Sequence, residues 1–268
     1  MAKVAEVTAL MKNIAAEEHM YTDEYDNIGL LVGRNDAEVK KVLCCLDASD
    51  AVIDEAIEKK AGLIISHHPV IYYPISRISD EDVIGKKLLK AAEHRISIYA
   101  SHTNLDFVSD GINEYLAKLY GLIDILPLKP YISETEGYGR VGKLPGKLTC
   151  LQLKKETEKL LNDKFVRVIG DPQRSVSRVA VINGGGGGDV AYVDMAKKAG
   201  AECLITADVK HHVAVYALDG GMTVIEPQHY TMEHIYLARL VQTLKIEAKS
   251  KKADIEILQA ERDVSPRA

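Results

Sequence analysis

Along the first hundred residues, apolar positions come in short unbroken runs separated by stretches of helical spacing. Val42 to Leu46 (VLCCL) is one such run, closed by Asp47-Ala-Ser-Asp50, and AVIDEAIEKKAG (51–62) then spaces its apolar residues three and four apart. Gly62 stands where a helix C′ glycine would close that segment. A second run, Leu63 to Ser66, leads directly into His67-His68-Pro69, and a third, Ile98-Tyr99-Ala100, into Ser101-His102-Thr-Asn-Leu-Asp106. Continuous apolar runs predict strands buried on both faces of a parallel sheet, with helices between them.

The same order returns later. Val179 to Ile182 is followed by Asn183-Gly-Gly-Gly-Gly-Gly188-Asp189, the helical AYVDMAKKAG, and the run 202–206 (ECLIT). The string KKAG occurs at 59–62 and at 197–200, each time before a strand that ends near a histidine pair; the second pair is His211-His212. IYASHTNLD (98–106) and VIEPQHYTME (224–233) match as strand, turn, histidine and acid. The offsets are 138 residues for the KKAG strings and 127 for His102 and His229. Periods this long predict a duplicated domain and not a solenoid. The expected architecture is α/β, with two similar α/β/α halves and mixed, mostly parallel sheets. Residues 1–127 form the first repeat and 128–268 the second. Residues 126–149, rich in proline and glycine, supply the linker and hairpin between them, and the apolar stretch Ile255 to Leu258 an edge strand.

Composition narrows the function classes. Thirty-four basic residues against 39 acidic ones give a net charge of −5, so no basic surface for nucleic acid is advertised. No uninterrupted apolar run reaches the length of about 18 residues that a membrane span needs, and the N-terminal stretch reads as no secretion signal. The four cysteines, Cys44, Cys45, Cys150 and Cys203, lie in or beside apolar runs and read as reduced core residues of a cytoplasmic protein.

The chemistry gathers at the predicted strand ends, where open α/β sheets bind ligands. His67 and His68 follow one strand, and His102 and Asp106 another. His229 and Glu233 follow a third and are four apart, so a helix would put both on one face. A histidine and a carboxylate one turn apart can share a metal, as histidine pairs do in zinc helices. Three histidines (67, 68 and 229) with two carboxylates exceed one tetrahedral site and suit a pair of divalent ions. Neighbouring residues on extended backbone point to opposite sides. His67 and His68 therefore need either a turn at Pro69 or one ion each. Isolated histidines such as His19 and His94 read as ordinary hydrogen-bonded residues.

DNIGLLVG (26–33), ISHHPVIY (65–72), SHTNLD (101–106), ADVKHH (207–212) and HYTME (229–233) together resemble the Nif-three-like family. Its members are hexameric dinuclear-metal proteins, also labelled GTP cyclohydrolase I type 2 homologues. The resemblance runs in order from near the N-terminus to about residue 240. It implies an intertwined two-domain fold and a ring-shaped homohexamer. It also implies two divalent ions per subunit on His67, His68, Asp106, His229 and Glu233, at a site between the two repeats, with His102 beside them as general acid or base. The metal could be Zn, Fe, Mn, Co or Ni. Two departures stand out: Gln228 where a glycine usually precedes the histidine, and a tail ending SPRA in place of the family's closing Asp-Pro-Phe.

The activity this implies is metal-assisted hydrolysis of a nucleotide or phosphorylated small molecule, such as ring opening of a guanine nucleotide. The alternative is a non-enzymatic regulatory or scaffold protein, or one that stores or inserts metal. The loop Gly184–Gly188 reads either as a turn for close helix packing or, through Gly185 and Gly186, as a cradle for substrate phosphates. Lys210 is a candidate to neutralise them, and Asn27 to bond a ligand or cap backbone groups.

Overall fold

A computed structural model describes residues 2–20 and 26–267. The chain divides into two compact units, residues 1–105 with 237–268, and residues 106–236. The boundary expected at 127–128 differs from this division for two reasons of strand pairing. The segment before it pairs forward with residues 140–149, and the C-terminal segment pairs back with residues 41–45.

The first unit holds a five-stranded sheet made of β1 (Gly29–Val32), β2 (Lys41–Cys45), β3 (Leu63–Ser66), β4 (Ser97–Ala100) and a C-terminal strand, Glu256–Gln259. The C-terminal strand is an edge strand, as its apolar stretch predicts, and the order is C-terminal strand, β2, β3, β4, β1. Its pairs with β2, β2 with β3 and β3 with β4 are all parallel, while β1 runs antiparallel to β4. Helix α1 (Asp50–Lys59) joins β2 to β3, and α2 (Val83–Glu93) precedes β4. Leu43, Ile64 and Ile98 from three adjacent strands pack with Val52, Ile53 and Leu88 from these helices. Each such fully buried side chain contributes about 1.5–3 kcal/mol.

Helix α1 begins at a Ser49 cap whose hydroxyl accepts from Val52 N, but it does not end on Gly62. Lys60 takes the left-handed position with φ 57°, and Gly62 N already donates to Lys41 O alongside the sheet. The glycine serves close approach to Glu38 O instead of the helix stop.

The second unit holds a six-stranded sheet: β5 (Ile123–Leu126), β6 (Arg140–Thr149), β7 (Arg167–Ile169), β8 (Ser175–Val181), β9 (Cys203–Ile205) and β10 (Thr223–Glu226). Their order is β7, β10, β9, β8, β6, β5, with β8, β9 and β10 parallel and the flanking pairs antiparallel. Helices α3 (Val190–Lys198) and α4 (His211–Asp219) connect the parallel strands. Ala180, Leu204 and Val224 pack against Val193 and Val213 from those helices. Both sheets thus have three consecutive parallel strands joined by helices. All four cysteines are free and buried. Among the described residues, no helix is long and apolar enough to cross a membrane.

Candidate metal centre

In the first unit, three neighbouring parallel strands deliver polar residues at their carboxyl ends. The β2–β3 ladder continues past Ser66, with His67 N donating to Cys45 O at 3.1 Å and His68 N to Leu46 O at 2.9 Å. The chain then turns before Pro69, where the Ser66 hydroxyl donates to His68 O at 2.8 Å. That turn brings the two imidazoles together, with ring centroids 5.0 Å apart. The His102 ring, beyond β4, lies 5.2 Å from His67 and 5.7 Å from His68. Each of the three offers a nitrogen within 4.8 Å of the others'.

The second ring nitrogen of each is committed. His67 Nδ1 meets Ser101 O at 2.9 Å, His68 Nδ1 meets Asp47 Oδ1 at 3.0 Å, and His102 Nδ1 meets Asp26 Oδ1 at 2.7 Å. A backbone carbonyl and ionised carboxylates only accept, so Nδ1 is the donor in every case. Each neutral ring therefore carries its lone pair on Nε2. This is the tautomer arrangement of histidines that bind metals, where an acceptor behind the ring fixes both its rotation and its basicity. Asp26 also accepts from Thr103 Oγ1 at 2.5 Å. Burial would raise its pKa, but the hydrogen bond and charge of His102, with Thr103, hold it below the usual carboxylate value.

The second unit builds a different, acidic set. His229 opens helix α5 (His229–Ser250), and His229 Nε2 lies 2.9 Å from Glu233 Oε2 one turn on. His229 Nδ1 meets Asp208 Oδ2, beyond β9, at 2.7 Å. Burial would lower the imidazole pKa, but Glu233 and Asp208 outweigh it and push it up to about 10. The pair is thus a place that draws positive charge. Asn183, just beyond β8, donates from one amide nitrogen to Asp106 Oδ1 at 2.8 Å and Glu233 Oε1 at 2.9 Å. The amide of Asn113 holds Asn183 in turn, accepting from its N–H and donating to its Oδ1. One asparagine so gathers two carboxylates, one of which meets the His229 imidazole, and oxygen plus imidazole suits divalent first-row ions.

The glycine loop forms a 3₁₀ turn against this set. A Cβ on Gly184 would lie 2.2 Å from Glu233 Oε1 and 3.1 Å from His229 Nε2. Gly186 packs on Ile182 and Thr206, whereas Gly185 is exposed with nothing within 4 Å. Lys210 joins the loop, its N donating to Gly187 O at 3.1 Å and its side chain reaching Gly188. Asn27 commits its amide to Ile71 O at 2.6 Å, which ties down the segment after the histidine pair.

Gln228, the departure from the expected glycine, is also accounted for. Its backbone and side-chain nitrogens both donate to the buried Asp163, at 2.7 and 3.0 Å. Sequence reasoning missed Asp47, Asp208, Asn113, Asn183 and Asp163 as supporting residues. Their one legible signal was position, since Asp47, Asn183 and Asp208 each follow a predicted strand within a few residues.

The chain is similar to known proteins in both sequence and fold. A sequence model of the family described as Duf34/NIF3 (NGG1p interacting factor 3) matches residues 2–266. A Clostridium acetobutylicum protein named GTP cyclohydrolase 1 type 2 homolog is 32% identical over 248 residues, covering 91% of each chain. A Nostoc sp. protein of the same name is 36% identical over 210 residues, covering 78% of each. The crystal structure of a Bacillus cereus protein related to NIF3 shares the fold, with a TM-score of 0.91 at 23% identity over 100% of this chain and 99% of that one. Sequence and fold agree along nearly the whole chain, which belongs to the DUF34/NIF3 family.

Proposed function

We propose that this chain is a dinuclear divalent-metal hydrolase acting on a nucleotide or a phosphorylated small molecule. His67, His68 and Asp106, with His229 and Glu233, would hold two ions of Zn, Fe, Mn, Co or Ni. The observation that carries this reading is that four imidazoles each have Nδ1 held by an oxygen acceptor, which in His67, His68 and His102 leaves the Nε2 lone pair available. Bound divalent ions would supply Lewis acidity and make a water-derived nucleophile available at neutral pH.

The chain's own groups supply the rest. His102, oriented by Asp26 through Nδ1, presents Nε2 to take up or return a proton as general acid or base. Asn183 keeps Asp106 and Glu233 together. The exposed Gly185 and the side chain of Lys210 offer a place for substrate phosphates, with Gly186 keeping the loop closely packed. Asn27 holds the segment that follows the histidines. The relatives named GTP cyclohydrolase 1 type 2 homolog favour a guanine nucleotide as the first substrate to try. A homohexamer and a cytoplasmic location belong to the same reading, and the four free cysteines support a reducing compartment.

Elemental analysis of protein prepared with excess metal should give two ions per subunit, and fewer than one would end the dinuclear reading. Incubating that protein and a His67→Ala variant with nucleotides and phosphoesters tests the hydrolase. Turnover by the parent alone is expected. Full metal loading with no turnover on any substrate would favour the non-enzymatic alternative, which the words "NGG1p interacting factor 3" in the family's description support.

A further inference from the structure

The C-terminal segment does not end as an idle edge strand. Past Gln259 it keeps to the side of β2, with Ala260 N donating to Cys44 O at 2.8 Å. Glu261 N and Arg262 N then donate to the buried carboxylate of Glu55. The next residue, Asp263, is only 5% exposed in a stretch whose neighbours face solvent. Its carboxylate accepts from Leu46 N at 2.5 Å and from Asp47 N.

Leu46 and Asp47 also hold His68. Leu46 O accepts from His68 N at 2.9 Å, and Asp47 Oδ1 accepts from His68 Nδ1 at 3.0 Å. The backbone N–H and the ring of that histidine are therefore both tethered to the short segment that Asp263 clamps. Asp47 sits at the strand end with its carboxylate half exposed. A tail that needed only to dock would already be held by the strand pairing, Cys44 and Glu55. Burying a further carboxylate beside Asp47 is costly, and the arrangement makes sense if the segment beneath it has to be held still.

We propose that Asp263 is a positioning residue of the metal centre, fixing Leu46 and Asp47 and through them the rotation of the His68 imidazole. The inference rests on His68 being a metal ligand. It gives the C-terminal tail, which departs from the family's usual ending, a part in the site.

The test is a titration of the full-length apoprotein with Co2+, followed by visible absorption and by calorimetry. It compares the parent with Asp263→Ala, Asp263→Asn, His68→Ala and the double variant, with Arg262→Ala as a control on the same tail. Asp263→Ala should bind one Co2+ about tenfold more weakly and with altered absorption bands, in line with other residues that orient metal ligands. Asp263→Asn keeps one accepting oxygen and should fall between it and the parent. Adding Asp263→Ala to His68→Ala should cost nothing further, because the histidine through which it acts is gone. Arg262→Ala should match the parent. A merely structural tail would lower the melting temperature but leave affinity, spectrum and the double-variant comparison unmoved, and that result overturns the proposal. If Asp263→Ala does not fold, parent-like binding by Asp263→Asn overturns it equally. A parent protein that takes up no Co2+ would instead defeat the metal reading on which the inference stands.

Discussion

Substituting Gly184 by alanine probes the second unit's ligand set without removing any ligand. Gly184 has φ +57°, and an alanine held there costs roughly 1–2 kcal/mol. The added Cβ would also lie 2.2 Å from Glu233 Oε1, so either the loop or the carboxylate must move. If Glu233 rotates away, it gives up its contacts to Asn183 Nδ2 and His229 Nε2, both at 2.9 Å. Hydrogen bonds to a charged group are worth about 1.5–3 kcal/mol each, and part of that returns through solvation in the new position. The total loss should be about 2–4 kcal/mol, a fall of some 2–4 °C in melting temperature per kcal/mol for a chain of this size. Metal affinity should fall at least about tenfold. Gly185→Ala is the matched control, since nothing lies within 4 Å of its Cβ position, and it should change stability by less than about 0.5 kcal/mol. Thermal melts of the apoproteins and calorimetric Zn2+ titrations read both effects. If Gly184→Ala melts and binds Zn2+ as Gly185→Ala does, the close approach of loop and carboxylate has no energetic consequence and the reasoning fails.

Asp163→Ala should destabilise the protein by about 3 kcal/mol in urea melts, because it leaves the two Gln228 donors and Phe165 N without their acceptor. Burial would raise the Asp163 pKa, but these donors outweigh it and hold the carboxyl below its ordinary value of 3.8. Its contribution is therefore present above that value and lost as pH falls through the lower folded-state pKa, so Asp163→Asn should flatten the acid limb of a urea-midpoint profile. Arg140→Met should cost about 3–5 kcal/mol by differential scanning calorimetry. The buried guanidinium donates to the carbonyls of Gly137, Gly139, Phe107 and Val108, and the last two follow Asp106 directly, so metal affinity should fall as well. His102→Ala should keep two ions per subunit by elemental analysis while turnover drops by about 10²-fold or more; loss of an ion would make His102 a ligand rather than the proton carrier.

How far the site could be read from the chain depends on how locally each part is specified. The histidine pair was visible because it interrupts a buried strand at its carboxyl end, where α/β sheets place ligands. His229 and Glu233 were visible because helical periodicity alone puts residues four apart on one face, and they meet at 2.9 Å. The residues that hold these groups were not. Asn183 reaches Asp106 77 positions away, Gln228 reaches Asp163 across 65, and Asp263 reaches Leu46 across 217. Each is an ordinary polar residue whose role exists only once particular strands lie side by side. The pentaglycine was ambiguous for the same reason. One of its glycines is required by a carboxylate 49 residues later, another is exposed, and no local pattern distinguishes them.

Taken by itself, then, the amino-acid order determined the α/β class, the strand ends that carry imidazole, and the one-turn histidine–glutamate pair, because periodicity and burial act over a few residues. Tertiary structure alone decided which oxygen stands behind each imidazole, which glycine has no room for a side chain, and that the C-terminal tail clamps the strand end beneath His68. Those outcomes depend on distances between segments far apart in the chain, and only the packed sheets set such distances.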